Sequence, residues 1–145
     1  MWSVPDLRAF LSGDWQVDRI LLDRRHSITG NFRGQANFSP VGQSLHYREH
    51  GKLRFGAHDG LAEQTHRFEF PNGYGRACVR FRDGRAFHDL DLSQGEDAVT
   101  HACGRDLYEG RFVALDQQHW RSSWTVVGPR KEQEILTLYT RLAPG

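Results

Sequence analysis

From Trp15 to Arg141, apolar side chains return at every second position, in runs cut by short turns rich in glycine. That rhythm constrains the fold more than any other feature, because a period of two marks strands with one buried and one wet face. The cleanest run puts Leu45, Tyr47, Glu49, Gly51, Leu53 and Phe55 on one side, against His46, Arg48, His50, Lys52 and Arg54. The second set reads as a solvated face. Before it, Trp15, Val17, Arg19 and Leu21 share a face, and so do Ile28, Gly30, Phe32, Gly34, Ala36 and Phe38. After it come His66, Phe68 and Phe70, then Ala77, Val79 and Phe81, and later Trp120, Ser122, Trp124 and Val126. About nine strands at hairpin spacing argue against a parallel α/β sheet. The expected fold is all-β, a single antiparallel meander closed into a β-barrel, since closure removes unpaired edges. A barrel of this strand number can hold a small ligand.

One short helix is expected at the N-terminus. Ser3 stands at the capping position, Pro5 and Asp6 fall in the first turn, and Gly13 ends it. Val4, Leu7, Phe10 and Leu11 recur at helical spacing, as a plug against something larger would need. The expected organisation is one domain over residues 1–145, with the plug at 1–12 and the barrel at 15–142.

Charge narrows the partners. A net charge of +1 with interspersed signs does not predict a nucleic-acid surface. No stretch approaches the roughly 18 apolar residues of a membrane helix, and the opening MWSVPDLRAF lacks the pattern of a signal peptide. A cytoplasmic protein with Cys78 and Cys103 as free thiols is therefore expected. A small molecule is the expected partner, without nucleic acid or membrane, and a homodimer is left open.

The stretch from Asp83 to Tyr108 breaks the apolar pattern. It reads as two antiparallel strands joined by a polar loop, Ser93 to Asp97. The first offers two faces, Ala86-His88-Leu90-Leu92 or Arg85-Phe87-Asp89-Asp91, and the greater apolar content of the former puts His88 inside. Beyond it Val99, His101 and Cys103 share one parity, whereas Asp106, Tyr108, Gly110, Phe112 and Ala114 share the other. A bulge at Gly104 would turn both sets inward. Inward polar groups cost stability unless paired, so they are either mutually satisfied or kept for chemistry.

Two resemblances bear on the fold. Gly13-Asp14-Trp15, opening the first strand after a short helix, resembles the lipocalin and wider calycin barrels. There the Trp seals the closed end beneath an Arg of the last strand, and Arg141 stands at the matching place. From Ser12 to Arg141 the chain is also similar to an uncharacterised bacterial family of calycin-like domains, through GNFRGQANF, DGRAFH, HACGRDLY and WTVVGPRK. That likeness implies the fold and no activity.

Three chemistries suit the inward polar residues. The first is binding of an apolar or planar organic ligand, with or without an acidic group. Phe32, Tyr47, Phe81 and Trp124 would wall it, and Glu49, Arg85, His88, His101 and Tyr108 would orient it, with Cys103 and Asp106 nearby. An inward Arg19 or Arg67 would favour a carboxylate or phosphate. The alternative is a cofactor-free acid–base enzyme of isomerase or lyase type, in which Glu49, His88 and His101 exchange the proton and Tyr108 or Arg85 stabilises an oxyanion. The third is zinc at His88, His101 and Cys103, but no paired ligand motif supports it and no metal or cofactor is expected. Each residue also has a structural reading. Glu49 can pair with Arg19 or Arg67, the histidines can bond backbone carbonyls, and Cys103 can act as a small hydrophobe.

Overall fold

The computed structural model describes residues 1–144. A helix, α1 (Leu7–Leu11), precedes ten strands: β1 (Gly13–Asp23), β2 (Ile28–Val41), β3 (Ser44–Phe55), β4 (His58–Glu69), β5 (Arg76–Phe81), β6 (Ala86–Asp91), β7 (Glu96–Cys103), β8 (Asp106–Asp116), β9 (His119–Gly128) and β10 (Lys131–Arg141). All ten form one antiparallel sheet in the order β6-β5-β4-β3-β2-β1-β10-β9-β8-β7. The first and last strands pair, with Trp15 opposite Arg141 and Arg19 opposite Thr137. The expected alternation holds on β1, β2 and β3, where Trp15, Val17, Phe32, Ala36, Phe38, Leu45, Tyr47 and Glu49 are all buried.

The barrel is nearly closed. Its two edges, β6 and β7, lie beside each other without forming a ladder. They were expected to be paired. Instead the Asp91 N–H donates to Asp97 Oδ2 at 2.9 Å across the seam. At one end the N-terminal segment stitches the gap, with the Trp2 N–H donating to the Ala114 carbonyl (2.8 Å) and the Val4 N–H to that of Leu92 (2.9 Å). Both edges are short and carry carboxylates, Asp89, Asp91 and Asp97, which discourages pairing with another chain.

That stitching also moves the helix start. Because residues 2–4 are held extended, Asp6 rather than Ser3 is the cap, its carboxylate accepting from the Ala9 N–H at 3.0 Å. Leu7, Phe10 and Leu11 press against Trp15, and the Arg141 guanidinium lies 4.2 Å from the centre of the Trp15 ring. Arg141 also donates to the Phe10 and Ser12 carbonyls, so the plug, the indole and the last strand are tied together.

Two irregularities differ from the sequence reading. Gly104, with φ of 61°, is the first residue of a two-residue hairpin turn and not a bulge, since Cys103 pairs directly with Asp106. A two-residue turn puts paired residues on the same face, so His101 and Tyr108 are cross-strand neighbours, which explains the change of phase. The bulge lies between β5 and β6, where Val79 faces His88 but Arg80 faces Ala86. Phe87 is the extra residue there.

Candidate functional site

Above a floor of Phe38 and Trp120, the barrel encloses a cavity of about 310 Å³. A larger hollow of about 850 Å³, beside Arg82, Asp83 and Arg85, lies at the outer rim among exposed charges. The interior cavity has the features of a ligand site, being mostly apolar with a few fixed polar groups. Its wall is built of flat rings. Phe87 stacks on Phe81 (centroids 4.4 Å, planes 20° apart) and on Trp124 (5.1 Å, 16°), a continuous three-ring stack joining β5, β6 and β9. His66 stacks on Phe87 as well, at 5.6 Å and 30°. The bulge makes this possible, because it turns two successive residues, Phe87 and His88, to the interior.

A buried polar network lies deeper. Arg19 grips Glu49 with two hydrogen bonds, Nη1 to Oε2 at 2.5 Å and Nη2 to Oε1 at 2.9 Å, and its Nε donates to Thr137 Oγ1 at 2.9 Å. The Tyr47 hydroxyl donates to Glu49 Oε1, and the Tyr139 hydroxyl lies 3.4 Å from that of Tyr47. Burial opposes the charge on Arg19, but the Glu49 hydrogen bond and field outweigh it, so its pKa is raised. Burial also raises both tyrosine pKa values, which keeps the hydroxyls protonated. Phe32 lies against the guanidinium at 5.2 Å, and Trp120 stacks on Tyr139 at 3.7 Å with planes 3° apart.

The two histidines of the wall are held alike. His88 Nδ1 is 2.7 Å from the Asp89 carbonyl, and His66 Nδ1 is 3.2 Å from that of Arg80. Desolvation lowers the pKa of both, that of His88 to about 4.

Arg19, Tyr47, Phe81, His88, Tyr108 and Trp124 all border the cavity. Glu49 sits behind Arg19 and Tyr47, and Phe32 backs the ion pair. His101 packs edge-on against Phe81 and Phe87, at 5.3 Å from each. Four expectations change. Arg67 lies on the outward parity of β4 and pairs with Glu69 at 3.2 Å. Arg85 is exposed and pairs with Asp83 at 2.7 Å. Cys103 is exposed beside the Gly104 turn, and Asp106 pairs with Lys131 at 3.4 Å. His88, His101 and Cys103 do not gather as metal ligands among the described residues. The sequence reading also missed Phe87, His66 and Tyr139 as site residues. For Phe87 the signal was present in the two competing faces of its strand. For Tyr139 it lay in the register that sets the last strand against Val17.

An antiparallel, nearly closed meander barrel with an N-terminal plug and an aromatic interior cavity defines the class. Residues 11–141 match a family of unknown function, DUF6314, and the chain belongs to that family. A search of curated proteins finds no match. Among solved structures, the S-type phycobiliprotein lyase CPES from Guillardia theta is similar in fold, with 8% identity over 99% of this chain and 95% of that one and a TM-score of 0.72. A protein of unknown function from the DUF3598 family of Nostoc punctiforme follows at 10% identity and a TM-score of 0.63; the match covers 93% of this chain and 49% of that one. EF1p2_mFAP2b bound to DFHBI matches at 12% identity over 97% and 100% of the two chains, with a TM-score of 0.51.

Proposed function

We propose that the barrel binds a small, planar, largely apolar organic molecule. The observation that carries this reading is the interior cavity, walled by aromatic rings and only sparsely polar. Similar barrels lend support, since EF1p2_mFAP2b binds DFHBI and the Guillardia theta protein is a phycobiliprotein lyase. In the acid–base alternative Glu49 or a histidine would carry the proton. Glu49 is engaged by two Arg19 donors and the Tyr47 hydroxyl, which leaves the histidines as its proton carriers, and the aromatic, largely apolar cavity favours binding.

Titration with prodan, a neutral planar naphthalene dye, tests it. Saturable one-to-one binding with blue-shifted emission is expected, and Trp124→Ala removes one ring of the wall and weakens binding about tenfold. Emission that rises without saturation, or that ignores Trp124→Ala, refutes the reading.

A further inference from the structure

Resting on that binding reading, we infer that the barrel selects electrically neutral ligands that donate hydrogen bonds, and rejects carboxylates. The cavity's charge and its unspent hydrogen-bonding capacity both point this way. Among the described residues, Arg19 is the one arginine or lysine bordering the cavity. Its charge is matched by Glu49, and four of its five N–H groups are directed to Glu49, Thr137 and Tyr139. The other two arginines that would have favoured an acid, Arg67 and Arg85, point out of the barrel to carboxylates of their own. An entering carboxylate would lose its hydration and meet no free cation, which costs far more than a hydrogen bond returns.

The wall carries donors in the Gln64 amide and in the buried Trp120 Nε1, unpartnered among the described residues, and to these its two histidines add acceptors. A carbonyl oxygen only accepts, so a histidine nitrogen bonded to one must carry the ring proton. The Nδ1 atoms of His66 and His88 are both so bonded, to the carbonyls of Arg80 and Asp89. In the neutral ring each Nε2 then keeps a lone pair, and neither finds a partner among the described residues. The groups facing His88 are His66, Asp89 and Asp97, and the net effect of burial and neighbours keeps it neutral at neutral pH. Ser122, only 5% exposed and on the cavity wall, adds a hydroxyl able to serve as donor or acceptor. A phenol, an N–H heterocycle or an amide on a flat ring meets this arrangement, with its ring on the aromatic stack and its donor on an imidazole.

Three naphthalenes of one ring size separate the terms, each measured by displacement of prodan at neutral pH. 2-Naphthol should bind about tenfold tighter than naphthalene, as one well-placed hydrogen bond allows. 2-Naphthoate should bind at least about a hundredfold more weakly than 2-naphthol. In the His66→Leu/His88→Leu double variant the ratio of 2-naphthol to naphthalene affinity should fall from about ten to about one, whatever the change in naphthalene binding itself. If the double variant fails to fold, each single variant should lose part of that advantage. Equal binding of 2-naphthoate and 2-naphthol overturns the inference. So does a 2-naphthol advantage that survives in folded variants lacking the imidazoles. In both cases the prodan result still stands. Failure of prodan itself to bind would instead remove the reading beneath.

Discussion

Acidification should weaken this fold between pH 7 and 5, and His88 should account for most of the loss. In the unfolded chain His88 titrates near 6.5, whereas in the barrel wall its pKa falls to about 4 because burial disfavours the cation. Between those values the unfolded chain binds a proton that the folded chain does not, so stability falls as pH falls. Working the two pKa values through the linkage relation gives a loss of about 2 kcal/mol from pH 7 to pH 5. For a chain of this length that is a drop of about 6 °C in Tm. His66, also shifted down by burial, contributes with the same sign. The lowered carboxylates, among them Asp83 and Asp116, start from 3.8 and lose their contribution only below this window. Urea unfolding of the native protein and His88→Leu at pH 7, 6 and 5 provides the assay. The variant should show a pH dependence smaller by about 2 kcal/mol, whatever its stability at pH 7. Parallel curves for the two proteins would refute the reasoning, because His88 would then take its proton as easily folded as unfolded.

Two further substitutions probe the interior. Glu49→Gln leaves the buried Arg19 cation without its counter-charge and should destabilise by about 3–5 kcal/mol in urea denaturation, with Arg19→Met in the same chain restoring much of it. Gly110→Ala places a methyl 2.8 Å from the Trp124 ring, so the indole must move; prodan affinity should fall, with a stability cost of about 1–3 kcal/mol in the same denaturation assay.

Most of the barrel was legible because alternation survives wherever one face is dry. On β3 even Glu49 betrayed its inward position, since a residue's face is set by its parity and not by its polarity. What alternation cannot carry is a change of parity. The bulge before Arg80 and the tight turn at Gly104 each alter the count by local backbone geometry, and both lie in the stretch that forms the seam. Phe87 was hidden by the first, and the second was mistaken for a bulge. Arg67 and Arg85 illustrate a different limit. A guanidinium is a plausible ligand anchor in sequence, but only the fold reveals that Glu69 and Asp83 hold these two on the outside. The partner of Glu49 raised the same question, and the pairing of β1 with β2 and of β2 with β3 settles it in favour of Arg19.

The seam between β6 and β7 has a mechanical consequence. In a fully hydrogen-bonded barrel the circumference is a whole-number property, fixed by the count and stagger of its strands. Here the ring of backbone bonds is interrupted, and what spans the gap is the Asp91–Asp97 contact, the packed side chains of the two edges and, at one end, the Trp2 and Val4 bonds of the N-terminal segment. Parting the two edges would break the Asp91, Trp2 and Val4 hydrogen bonds but no β-ladder. In outline the barrel is a split ring around a cavity of about 310 Å³, clasped at one end by its own N-terminal segment.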